Sequence, residues 1–219
     1  MTTVTLPEGF SIDSTEVTRC QYQAWLDTNP STSGQLSECS WNNSYVPSCE
    51  WPPGVKGDHP VVCVDWCDAY AYCLGVGKRL CGKIGGGANA YDQHANASVS
   101  QWHAACSSGG QFAYPYGDTS SGSTCNGQQA LNAATVPVAS MSGCQSSSPG
   151  YTGVYDLSGN VGEWEDSCDG NSGISDSCHR RGGSFVSYYY YGTLRCDASS
   201  GSDRGGPGVS VGFRCCSSP

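Results

Sequence analysis

Three blocks decide how this chain is read: Arg181-Gly182-Gly183-Ser184-Phe185, then Leu194-Arg195-Cys196, then Val211-Gly212-Phe213-Arg214-Cys215. Short strand candidates fall around them at 182–186, 188–194 and 209–214. Between the blocks lie 186–193, which reads Val-Ser-Tyr-Tyr-Tyr-Tyr-Gly-Thr, and 197–210, built of Asp, Ala, Ser, Gly, Arg, Pro and Val. If Tyr188, Tyr189, Tyr190 and Tyr191 form a strand, alternate rings face opposite sides, two inward and two outward. Tyr, Ser and Gly are also the residues of adaptable contact surfaces. Tyr gives a large amphipathic area at low entropic cost, and Ser and Gly let neighbours fit.

Outward from there, composition narrows the function. The chain has 219 residues, enough for one well-cored domain, and 1–219 reads as a single domain. The net charge is −9 with only 10 Lys plus Arg. That argues against nucleic acid, whose binding rests on clustered basic residues. No apolar run approaches the ~20 residues of a membrane span, so no membrane insertion is expected. The opening Met1-Thr2-Thr3 carries no basic and apolar signal-peptide pattern. Fifteen cysteines, scattered rather than grouped in zinc-type pairs, read as a disulfide framework and an extracytoplasmic or secreted setting. The odd number leaves at least one unpaired within the chain.

Residues 10–28 read as a strand running into a helix, with Ser14 or Thr15 as the N-cap and Val17, Cys20, Tyr22, Trp25 and Leu26 near one face. Residues 29–58 read as a pinned loop. Asp65 is a plausible N-cap for a second helix ending at Gly75 or Gly77, and 100–106 reads as a third. Residues 82–98 read as loop. Further strand candidates are 153–157 and 162–165.

These pieces fall in a recognisable order. Asp13-Ser14-Thr15-Glu16-Val17-Thr18, Trp66-Cys67-Asp68-Ala69, Gly77-Lys78-Arg79-Leu80, Tyr114-Pro115-Tyr116-Gly117 and Asp156-Leu157-Ser158-Gly159-Asn160-Val161-Gly162-Glu163-Trp164 precede the C-terminal blocks. Together they resemble the formylglycine-generating enzymes, the sulfatase-modifying factor family, over nearly the whole chain. The resemblance implies an α+β, irregular, loop-rich fold of the C-type-lectin-like kind, with few helices and short antiparallel strands. Two departures stand out: an insertion at 81–98, and Gly162 where the family usually carries an aromatic.

The resemblance also implies bridges Cys73–Cys215 and Cys106–Cys196. Each closes a long loop, where the chain-entropy model gives ~4–5 kcal/mol. Proximity adds Cys39–Cys49, Cys125–Cys144 and Cys168–Cys178 as local candidates and leaves Cys20, Cys63, Cys67, Cys81 and Cys216 open. A structural calcium site is implied at Asp156, Gly159, Val161 and Glu163, two carboxylates and two carbonyls suited to a hard cation. A second site would use Asn126, whose downstream carboxylate has no clear equivalent.

The family oxidises a protein cysteine with copper(I) held by two thiolates. Here Ser187 stands at the first reactive position, and Gly192 or Tyr191 at the second. Copper is therefore not expected, and catalytic residues are not assigned. The replaced segment resembles instead the variable proteins of diversity-generating retroelements, which vary residues between the same fixed blocks. The reading is a non-catalytic module binding an unknown protein or glycan through Ser187, Tyr188, Tyr189, Tyr190, Tyr191, Asp203 and Arg204. The alternative is a formylglycine-generating-type copper oxidase. A third possibility is a structural ectodomain whose tyrosines only pack.

Overall fold

Thr18 and Asp65 start the first two helices, because each satisfies a free N–H of the opening turn. The computed structural model describes residues 2–127, 132–188 and 192–218. In α1 (Arg19–Leu26) the Thr18 hydroxyl accepts the Gln21 N–H while the Gln21 side chain accepts the Thr18 N–H. In α2 (Trp66–Gly75) Asp65 and Asp68 do the same. The Ser100 hydroxyl accepts the His103 N–H at the start of α3 (Gln101–Ser107). The first cap lies later than Ser14 or Thr15 because the chain before it is held elsewhere. The Val17 N–H donates to the Phe213 carbonyl, and the Val61 N–H donates to the Val17 carbonyl. Helical winding therefore begins only at Thr18.

Two four-stranded sheets carry the rest. One places β1 (Thr3–Thr5), β2 (Ser11–Asp13), β8 (Cys215–Ser217) and β3 (Arg79–Leu80) side by side, all antiparallel. The other runs β6 (Ser199–Asp203), β5 (Ser177–Arg181), β4 (Gly162–Cys168) and β7 (Val211–Phe213). Here β4 and β7 are parallel, which the expectation of antiparallel strands did not include. The architecture is α+β and loop-rich, as the sequence implied.

The candidate strands at 153–157 and 182–186 are irregular, with Tyr155 in a single antiparallel bridge to Gln145, and 188–194 lies partly outside the described residues. Conversely, β5 (Ser-Cys-His-Arg-Arg) and β6 (Ser-Ser-Gly-Ser-Asp) show no apolar alternation. They form because all five residues of β6 pair in register with β5, from Ser199 against Arg181 to Asp203 against Ser177. Backbone hydrogen bonding holds this edge.

The core between α1, α2 and β7 is aromatic. Tyr22 stacks on Tyr72 at 5.3 Å, Trp25 meets both edge-on, and Phe213 closes the cluster. Such pairs add about 0.5–1.5 kcal/mol beyond the area they bury. Cys20 points away from this core and is exposed.

Seven disulfides hold the loops. Cys73–Cys215, Cys106–Cys196, Cys125–Cys144 and Cys168–Cys178 join the expected partners, and Cys81 pairs with Cys216. The expected Cys39–Cys49 pair is corrected to Cys39–Cys67 and Cys49–Cys63. The loop at 29–58 lies over the start of α2, so each of its cysteines meets one from 63–67 instead of the other. This framework points to an oxidising compartment. No helix among the described residues is long and apolar enough to cross a membrane.

Non-reducing proteolysis and mass spectrometry should recover peptides joining Cys39 to Cys67 and Cys49 to Cys63. A Cys39–Cys49 peptide would overturn this pairing. Stability should also fall as pH rises from about 4 to about 7. Burial, and then the Glu165 charge, lifts the Asp166 carboxyl to about 7. Its contribution is full below the unfolded value near 4 and is lost as pH rises through 7. Asp166→Asn should raise the urea midpoint at pH 8 and flatten its slope between pH 4 and 7.

Candidate functional site

Gly182 and Gly183 turn the chain sharply out of β5. Both have positive φ, 81° and 64°. A Cβ on Gly182 would stand 2.8 Å from the Leu157 carbonyl oxygen, and one on Gly183 would stand 2.8 Å from that of Thr193. Only glycine meets both demands. After the turn the Phe185 ring is buried, its N–H donating to the Asn160 carbonyl at 3.0 Å. Val186 then emerges 53% exposed.

Ser187, expected from the sequence at the position of the family's first thiol, closes this turn. Its N–H donates to the Ser184 carbonyl at 2.8 Å, and its hydroxyl oxygen accepts the Ser184 N–H at 3.0 Å. Tyr188 is 44% exposed, and its carbonyl accepts the Thr193 hydroxyl. Tyr189, Tyr190 and Tyr191 lie outside the described residues. Gly192 adopts φ 67° and its carbonyl accepts the Arg195 N–H.

Two cavities flank the turn. One, of about 340 Å³, is lined by Arg19, Glu50, Thr135, Phe185, Val186 and Val209. The other, of about 200 Å³, is lined by Arg180, Ser184, Ser187, Ser200 and Ser210. Val186 borders both. Asp203 is exposed at the end of β6. Arg204 is a correction: it is 2% exposed, its guanidinium lies 4.7 Å above the Trp66 ring, and it donates to the Gly170 carbonyl and to Asp176. It locks the loop after β4 onto α2. Sequence reading also passed over Arg180, and it held Ser200 and Ser210 only as unnamed members of the 197–210 stretch. Arg180 sits on a strand with no apolar alternation, and small serines carry little signal.

Of the expected calcium residues, Glu163 is already engaged on both oxygens. Both Glu163 oxygens accept from the Arg214 guanidinium at 2.7 Å, and Oε2 also accepts the Trp102 indole N–H at 2.9 Å. One Asp156 oxygen accepts the Ala139 N–H. Val161 is buried, and Gly159 sits in a tight turn where Asp156, Gly159 and Asn160 all have positive φ. The Asn126 amide donates to the Ala134 carbonyl and to Asn160, and its oxygen accepts from Asn132. Among the described residues no group of three or more His, Cys, Asp or Glu is arranged to hold a metal. Arg214, fully buried, pairs with Glu163. Burial and the Asp156 charge push the neighbouring Glu16 well up, and burial lifts Asp156 to about 6.

A glycine-turned loop, displayed on a disulfide-stapled α+β frame beside a buried arginine–glutamate pair, defines the class. The sulfatase-modifying factor enzyme 1-like domain model matches residues 1–219, and the chain belongs to that family. Several solved structures share the fold. The protein CarF matches with a TM-score of 0.62 and 24% identity over 96% of this chain and 86% of that one. Treponema denticola variable protein 1 matches at 0.60 and 21% identity, over 96% and 84%. PvdO from Pseudomonas aeruginosa matches at 0.63 and 20% identity, over 96% and 80%. No curated protein sequence matches significantly.

Melting curves in calcium and in EGTA should coincide, because Arg214 already neutralises Glu163. Arg214→Met should cost about 3–5 kcal/mol by leaving a buried carboxylate unpaired. A calcium-dependent rise in melting temperature would show that Glu163 turns to a cation instead.

Proposed function

We propose that this domain is a non-catalytic ligand-binding module. Its contact surface is the turn after Gly182-Gly183-Ser184 together with residues 192–193 and 199–210. The observation that carries this reading is a group of exposed large apolar side chains on otherwise small, polar loops. Val186, Tyr188 and Val209 are 53%, 44% and 55% exposed, and Val186 and Val209 line one cavity. Apolar side chains standing half in water beside serines and glycines suit contact with a partner. The ligand is a protein or a glycan, and the net charge of −9 disfavours nucleic acid. We read 186–210 as a segment of the kind that diversity-generating retroelements vary. The likeness to the Treponema denticola variable protein supports a scaffold suited to it. The disulfides suit an extracytoplasmic setting.

The alternative, copper-dependent oxidation of a protein cysteine, requires two thiolates at one site. Against it, fourteen of the fifteen cysteines are bridged, and the remaining one, Cys20, lies on α1 beside Gly57. Calcium and copper have no part in the binding proposed.

Binders selected from a glycan array and a displayed peptide library give the test. The triple variant Val186→Ser, Tyr188→Ala, Val209→Ser should weaken them at least about tenfold, the loss of one or two buried apolar contacts. Its melting temperature should stay unchanged. Leu74→Ser, an exposed change on α2, should leave binding intact. Equal binding by the triple variant would sink the reading. Stoichiometric copper(I) uptake with thiol oxidase activity would restore the enzyme.

A further inference from the structure

Arg180 and Arg181 are neighbours on β5 with opposite circumstances. Arg181 is fully buried, and each of its three guanidinium nitrogens donates. They reach Glu165 at 2.7 Å and the carbonyls of His94, Cys196 and Ala198. Among the described residues, nothing hydrogen-bonds or ion-pairs with the Arg180 guanidinium, and its Nε is buried without a partner. Only the Trp164 ring lies beneath it, at 5.9 Å.

This unpaired cation faces a particular environment. The cavity of about 200 Å³ that Arg180 borders is also lined by Ser184, Ser187, Ser200 and Ser210, and among the described residues by no carboxylate. The Ser187 oxygen already accepts the Ser184 N–H, so its own hydrogen remains free to donate. The chain has 19 acidic residues against 10 basic ones, yet among the described residues none of the acids pairs with Arg180. A half-buried guanidinium without a counter-charge carries a desolvation cost that an incoming anion would offset. Its fork of donors matches the oxygens of a carboxylate, sulfate or phosphate.

Gly162 keeps the cavity open. A Cβ there would stand 3.7 Å from the carbonyl oxygens of Gly183 and Ser210 and 3.8 Å from the Arg180 Cβ. These are ordinary contacts with the cavity's own walls, so a larger side chain at 162 would enter that space.

We propose that this cavity binds an oxyanion of the ligand, a carboxylate, sulfate or phosphate, with Arg180 as the anchor and Ser187 as a hydroxyl donor. The proposal rests on the ligand-surface reading for its role, but its chemistry is tested separately. The probes are sodium acetate, sulfate and phosphate, each titrated at constant ionic strength against chloride. The readout is the NMR signal of the Arg180 Nε–H group in the wild-type protein, with backbone amides of 183–187 as a second reporter.

At least one oxyanion should shift these signals saturably, and the order among the three identifies the ligand group. By the backbone reporter, Arg180→Gln and Gly162→Val should each weaken that binding at least about tenfold, the scale of one charge-assisted hydrogen bond. Ser187→Ala should weaken it less. No oxyanion shift beyond that of chloride overturns the proposal, as does unchanged affinity in both Arg180→Gln and Gly162→Val. The wild-type titration stands even if a variant fails to fold. If sulfate saturates the site while the surface variants leave every selected binder untouched, the anion site stands and the surface reading falls. If a binder needs Val186 and Val209 but ignores Arg180→Gln and competing oxyanions, the reverse holds.

Discussion

The Glu163–Arg214 ion pair is the constraint on which the rest of the structure depends. It is fully buried and doubly hydrogen-bonded. Arg214 also donates to the carbonyls of Asp13 and Tyr155. One guanidinium thus ties together the end of β2, the central turn, β4 and the link between β7 and β8. A buried pair of this kind adds little net stability over apolar packing, but losing either partner is severe. It therefore acts chiefly as a specification. Arg181 and Glu165 repeat the arrangement two residues further along β4, with the Arg181 guanidinium 4.7 Å above the Trp102 ring.

With the frame fixed from inside, the surface above it is free to be small and irregular. The Gly182-Gly183 turn delivers Val186 to solvent because Phe185 is drawn down toward Asn160. The β6 edge needs no apolar face, because its register comes from backbone pairing with β5 and from the bridges on either side. Substitution at exposed positions of 186–210 should therefore leave the frame largely intact.

The frame was far more legible than the surface. Asp65 as a cap, the long-range Cys73–Cys215 and Cys106–Cys196 bridges, and the ordered motifs could be read because each has a local or family-wide signature. Thr18 was missed because the segment before it is held by Phe213 and Val61, far away in sequence. The Cys39–Cys49 expectation failed because nearness along the chain does not tell which cysteine a folded loop meets. Arg204 looked like a surface handle, but Trp66 and Asp176 draw it inward.

The sequence by itself determined the family, the richness in disulfides, the absence of a paired-thiol motif and the places where glycine must turn the chain. Those properties reside in residue identity and order. Only the tertiary structure decided that Glu163 faces Arg214, that Arg181 is paired while Arg180 beside it is not, and that four serines from three segments share one cavity with it. Charge pairing and cavity lining depend on which distant segments meet, and along a strand neighbouring side chains point to opposite faces. Two adjacent arginines are alike in the sequence, and only the fold gives them different surroundings.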